Sequence, residues 1–125
     1  MDTVSSTIIG FGLSFLVIFL VGILLARSGK PHNTLFLTIH KLISLAALVF
    51  LYIAISKANQ AAGLSMFELT AAIVTGLFFV GAIITGGLVS TGNPMPAFVE
   101  RLHKTTPYLT VLTTAVTLTL LLSRQ

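Results

Sequence analysis

The chain contains no cysteine and few charged residues. In 125 residues the lack of cysteine excludes disulfides, thiolate metal sites, iron–sulfur clusters and covalent haem attachment through cysteine. Only 8% of the residues are charged, whereas 55% are hydrophobic and the mean hydropathy is +1.04. A soluble domain needs a hydrated surface, so this composition indicates a protein whose solvent is the lipid bilayer.

Motifs for hydrolysis and phosphoryl transfer are also missing. The sequence has no glycine-rich phosphate loop, no nucleophile motif and no paired carboxylates. Its net charge of +4 comes from seven Lys and Arg residues that form no basic run, so we expect no nucleic-acid partner. The sequence therefore gives little support to a stand-alone enzyme of these classes.

Four apolar segments are close to the roughly 20 residues that a helix needs to cross a bilayer. They cover about Val4 to Ala26, Asn33 to Ser56, Met66 to Ser90 and Ala97 to Ser123. The short, turn-rich connections between them favour antiparallel neighbours. The predicted fold is all-α: an integral membrane four-helix bundle of up-down-up-down topology, forming one domain over residues 1–125.

The distribution of charge predicts the orientation. With four crossings, both termini lie on the face that carries the loop between the second and third segments. Lys and Arg number five to two in favour of the opposite face, and the positive-inside rule makes that face cytoplasmic, with both termini outside. The five cytoplasmic cations are Arg27, Lys30, Lys41, Arg101 and Lys104, and the two outer ones are Lys57 and Arg124.

An internal repeat relates the two halves, residues 1–63 and 64–125. A shift of 63 residues places Gly29-x-Pro31 on Gly92-x-Pro94 and, in the same register, His40-Lys41 on His103-Lys104. Upstream of the turns, Thr7, Phe15, Val17 and Leu25 fall on Thr70, Phe78, Val80 and Leu88. The chain is therefore predicted to be a tandem repeat of two helical hairpins, related by a pseudo-twofold axis along the membrane normal.

The repeat places His40 and His103 at equal depth on helices that run in the same direction. Ionisable residues inside spanning helices are costly and usually face the bundle interior, so each is a candidate functional residue. Two neutral imidazoles that converge on one space suit the two axial positions of a haem iron. We therefore predict one haem b, ligated by His40 and His103, between the second and fourth helices.

Residues near these histidines are candidates for the rest of the haem site. Lys41, Arg101 and Lys104 lie within snorkelling reach of the cytoplasmic surface and are expected near the haem propionates. Small or short side chains would leave room for a flat macrocycle between helices. The predicted pocket residues are Gly22, Ser44, Ala47, Gly86 and Thr106.

These features together resemble the broad class of transmembrane b-type cytochromes, in which helical bundles bind haem through paired histidines. The resemblance implies electron transfer, here near the cytoplasmic face of a bacterial or archaeal inner membrane. It implies a quinone or a redox partner subunit as donor or acceptor, and either a homodimer or membership of a larger complex. Many such families hold two haems with four histidines, whereas this chain has one matched pair.

Other interpretations of the histidines remain open. His32 and its repeat counterpart Met95 form a second potential haem ligand pair, but a histidine in a turn beside a proline is usually solvated. Imidazole also ligates the magnesium of chlorophyll-type pigments, which generally take one axial protein ligand. A third interpretation is a cofactor-free accessory subunit or small transporter, whose His and Lys side chains relay protons or bind an anion.

Overall fold

The computed structural model describes residues 3–29 and 33–124 and is all-helical. The described residues form four helices: α1 (Thr3–Ser28), α2 (Thr34–Ala62), α3 (Met66–Val89) and α4 (Ala97–Ser123). Each is long and apolar enough to cross a membrane, which confirms four helices of spanning length at the predicted positions. Asp2 and Lys30 of the charge count, Pro31 of the repeated turn, and His32 lie outside the described residues.

The end of α2 is where the predicted and observed boundaries differ most. The apolar run stops at Ser56, but the helix continues to Ala62. Alanine and lysine are strong helix formers, so the polar residues after Ser56 extend the helix beyond its apolar part. The helix ends where Gly63 adopts a positive φ of 63° and the Asn59 side chain accepts the Leu64 N–H. Lys57 is therefore a helical residue rather than part of a loop.

Two helix starts have side-chain caps. Asn33 Oδ1 accepts the N–H groups of Leu35 and Phe36, at 2.9 and 3.2 Å, and so begins α2. Ser65 does the same for Glu68 at the start of α3. Because these caps leave only short connections, α1 packs closely against α2, and α3 against α4.

The helices follow one another around the bundle in chain order. Each contacts the helix before and after it, and α1 also contacts α4, so α2 and α4 occupy opposite corners. Contacts within α1–α2 and within α3–α4 are much more extensive than contacts between these two pairs.

Two apolar clusters hold the bundle together in its middle and near the chain termini. The larger cluster joins α1, α2 and α3, and Phe79 lies at its centre with its ring centroid 6.2 Å from that of Phe11 and 5.5 Å from that of Phe15. The smaller cluster includes Ile8 and Leu121. Toward the other end of the bundle neither cluster extends beyond the level of Ile18, Ile43 and Ile83.

Candidate functional site

His40 lies on α2 and packs against α1 at a glycine. Its Cε1 atom is 3.2 Å from the position that a Cβ on Gly22 would occupy, so the ring rests directly on the α1 backbone. The backbone of Ile18, one turn before that glycine, also lies close to the ring. Nδ1 of His40 is buried and makes no hydrogen bond of normal geometry. A buried ring nitrogen without a partner is costly, and no hydrogen bond at Nδ1 fixes the tautomer of His40.

His103 takes the corresponding position between α4 and α3. Its Cε1 atom is 2.7 Å from the position of a Cβ on Gly86, and its two ring nitrogens are 3.2 Å from it. The backbone of Ala82, one turn before that glycine, lies close to this ring as well. Both predicted ligands therefore use the same local arrangement, an imidazole seated on a glycine of the preceding helix.

A threonine hydroxyl determines the tautomer that we assign to His103. Thr85 Oγ1 lies 3.2 Å from Nδ1 of His103 and 2.8 Å from the carbonyl oxygen of Gly81. A hydroxyl has one proton, and the shorter contact to the carbonyl takes it, so Nδ1 must donate to Thr85. The lone pair is then on Nε2, which is the form of imidazole that binds metals.

The two histidines lie on diagonal helices at the same end of the bundle. Both side chains are partly buried. Opposite corners are the positions from which two side chains can approach one central group from two sides.

The other predicted pocket residues divide into two groups. Gly22 and Gly86 contact the imidazoles directly, as described above. Ser44 is nearly buried and donates its hydroxyl proton to the His40 carbonyl over 2.6 Å, and Thr106 accepts the Thr110 hydroxyl at its own carbonyl over 2.8 Å. Ala47 is fully buried but belongs to the larger apolar cluster. This second group packs the helices near the histidines.

The predicted propionate-side cations are exposed at the same end of the bundle. Lys104 pairs with Glu100, one helical turn away, with 3.4 Å between Nζ and the carboxylate. Lys41 and Arg101 are exposed, and the described part of the chain places no carboxylate within 4 Å of either. Positive charge is therefore available at the surface beside the histidines.

Two open grooves on the bundle lie away from the histidines. One is lined by residues of α1 and α2 that include Lys57, the other by residues of α3 and α4 that include Val74, and neither is lined by a histidine. Within residues 3–29 and 33–124, no three His, Asp or Glu side chains group as a metal site. The two imidazoles are therefore not part of a larger group of metal-ligating side chains among these residues.

Sequence reasoning did not predict the contact between Lys57 and Thr7. Nζ of Lys57 lies 3.2 Å from the Thr7 hydroxyl oxygen across the α1–α2 interface. Ending the second span at Ser56 placed this lysine in a loop, where no particular partner was expected. The helix-forming residues after Ser56 were the signal that placed it on α2.

No family model matches the chain, and no curated protein or solved structure shows a significant similarity to it.

Proposed function

We propose that this chain is a membrane-embedded b-type cytochrome that binds one haem b between α2 and α4, with His40 and His103 as axial ligands. The observation that carries the proposal is the paired arrangement of the two imidazoles. Each is seated on a glycine, Gly22 or Gly86, and the two helices that carry them are diagonal. When bound, haem supplies one-electron oxidation and reduction at its iron.

The donor chemistry of this chain fits such a group. In the tautomer that we assign, His103 donates from Nδ1 to Thr85 and keeps its lone pair on Nε2, the nitrogen that would bind iron. No hydrogen bond at Nδ1 fixes the tautomer of His40 in the same way. The larger apolar cluster reaches Ile18 on α1 and Ile43 on α2, about one helical turn from Gly22 and His40.

Charge at this end supports the proposed orientation and role. Lys41 and Arg101 are exposed and free of carboxylate partners among the described residues, so they suit the propionates, and Lys104 would share its charge with Glu100. We propose that this end is cytoplasmic, in a bacterial or archaeal inner membrane, with both termini outside. Electron exchange would then occur near the cytoplasmic face with a quinone or a redox partner subunit, in a homodimer or a larger complex.

The up-down-up-down topology and the tandem repeat belong to the same proposal. Contacts between the start of one helix and the end of the next support antiparallel pairs, such as Thr7 with Lys57 and Glu68 with Arg124. Buried residues of α2 and α4 recur 63 positions apart, as 47, 51, 54 and 58 against 110, 114, 117 and 121. Residues of α1 and α3 instead correspond at a separation of 64 positions, because Gly22 contacts His40 in the way that Gly86 contacts His103.

A reduced-minus-oxidised absorption spectrum of the purified protein tests the haem. We expect a Soret shift with sharp α and β bands, lost in His40→Ala and in His103→Ala because each variant removes one axial ligand. His32→Ala is the matched control and should keep the bands, because that histidine precedes α2. A colourless protein after expression with ample haem would refute the proposal.

The same spectra distinguish the other two candidate functions. A chlorophyll-type pigment would absorb in the red without a redox difference spectrum, and one histidine replacement would suffice to remove it while the other left it intact. A cofactor-free subunit would show no pigment band in the parent or in any variant. Dependence on both histidines is the result that only paired ligation predicts.

A further inference from the structure

Two equivalent grooves run along the outer sides of the two helix pairs, near the end that carries the chain termini. The first lies between α1 and α2 and is lined in part by Ser6, Thr7 and Gly10. The second lies between α3 and α4, where Thr70, Ala71 and Val74 take the corresponding positions, 64 residues further on. One groove therefore serves as an internal reference for the other.

The first groove differs from the second in having a cation. Lys57 lines it, with Nζ held 3.2 Å from the hydroxyl of Thr7. The position 63 residues later is Leu120. In the second groove the hydroxyls of Thr70 and Thr113 donate to carbonyls of their own helices, at 2.8 and 3.1 Å, which leaves that groove without a polar anchor.

The charge of Lys57 is not neutralised by the surrounding described residues. The other cation at this end, Arg124, is paired with Glu68 at 3.3 Å and also donates to the Gly63 carbonyl over 2.6 Å. Within the described chain no carboxylate lies within 4 Å of Lys57. A half-buried ammonium in a spanning helix is costly unless an anion or water reaches it.

The depth of Lys57 suits the headgroup region. It is five residues before the end of α2 at Ala62, or about 8 Å at 1.5 Å per residue, so its ammonium is near the membrane surface. Phe50 and Ile53 continue the groove from Lys57 toward the membrane centre. The groove thus offers a positive charge at the level of lipid phosphates and an apolar path below it.

We propose that this groove is a binding site for one anionic phospholipid, with its phosphate on Lys57 and an acyl chain along Phe50 and Ile53. Charge complementarity identifies the occupant, because a neutral apolar partner would supply no negative charge to the Lys57 ammonium. The second groove has no such site. The proposal does not depend on haem binding.

Native mass spectrometry of the full chain in detergent tests this site, with phosphatidylglycerol and phosphatidylcholine as the lipid probes. A lysine near the surface contributes about 1 kcal/mol to anionic lipid binding, so the first phosphatidylglycerol should bind about fivefold more tightly than phosphatidylcholine. Lys57→Leu gives the first groove the residue type of the second and should abolish this preference. Lys57→Arg retains the cation and should preserve it.

Arg27→Leu is the matched control, because Arg27 is an exposed cation in the last turn of α1 at the opposite end of the bundle. It should leave the lipid preference unchanged. An equal loss in Arg27→Leu and Lys57→Leu would overturn the proposal, since the preference would then reflect net charge. Equal affinity of the parent for both lipids would overturn it as well. A dimer that binds no phosphatidylglycerol would also overturn it, because a second copy of the chain would then occupy the groove at Lys57.

Discussion

Replacement of Gly86 by alanine should displace the His103 ring and leave the fold intact. The new Cβ would lie 2.7 Å from Cε1 of His103, whereas non-bonded carbon atoms are most stable at about 3.5–4.0 Å. The ring must therefore move by about 1 Å. A shift of that size exceeds the range of donor–acceptor distances over which a hydrogen bond forms, so the 3.2 Å contact between Nδ1 and Thr85 Oγ1 should be lost.

The cost in stability should be small, and the cost to ligand geometry large. Alanine favours a helix over glycine by roughly 1 kcal/mol, which offsets part of an overpacking cost of about 1–3 kcal/mol. An axial ligand, by contrast, must be held within about 0.5 Å of its productive position. Loss of a hydrogen bond that orients a ligand typically weakens metal binding by about 10–100-fold, and we expect haem affinity to fall by that amount in Gly86→Ala.

Haem titration followed at the Soret band, together with thermal unfolding by circular dichroism, measures both effects. Gly87→Ala is the matched control because a Cβ there meets nothing within 4 Å, so its haem affinity should equal that of the parent. Gly22→Ala should be intermediate, since its Cβ would be 3.2 Å from Cε1 of His40. Equal haem affinities in Gly86→Ala and Gly87→Ala would refute the proposed seating of His103 on Gly86.

Three further contacts can be tested individually by substitution. Thr85→Val removes the hydroxyl beside His103 Nδ1, so the ring should populate both neutral tautomers. ¹⁵N NMR of histidine-labelled protein without haem would detect this mixture, and a single form identical to the parent's would contradict the assignment. The Thr75–Thr117 hydroxyl contact of 2.9 Å should give a coupling energy of about 0.6 kcal/mol in a double-mutant cycle of valine replacements. A coupling energy of zero would mean that this contact does not stabilise the bundle. Arg124→Ala should lower the unfolding free energy by about 1 kcal/mol, because it removes a partly buried ion pair and a hydrogen bond to a carbonyl, whereas Arg124→Lys should recover part of that loss.

The number and type of the helices were predictable because bilayer-length apolar runs have few alternatives. A chain in lipid must satisfy every backbone hydrogen bond internally, and a helix does so within one segment. The predicted bounds agree with the structure to within a few residues except at α2, which continues past Ser56 to Ala62. That error came from equating the apolar run with the helix, although helix formation does not require burial in the membrane.

The histidine pair was also visible in the sequence, but its partners were only partly so. His40 and His103 recur with their lysines at one spacing, and small residues near them suggested Gly22 and Gly86 as pocket residues. Only the structure shows that each glycine directly contacts a ring. The two histidines are 63 residues apart in the chain, whereas the two glycines that they contact are 64 apart. Sequence alignment at a single shift of 63 placed Gly22 opposite Thr85 and hid this correspondence.

The sequence by itself determined that the chain has four helices long and apolar enough to span a bilayer, and where its two matched histidines lie, because hydropathy and repeated polar residues are local properties. Only the tertiary structure decided which faces meet. A helix in lipid is apolar on every side, so no amphipathic pattern identifies its inward face, and packing of small residues makes that choice. The seat of His103 beside Thr85, and the reach of Lys57 to Thr7, are results of that packing.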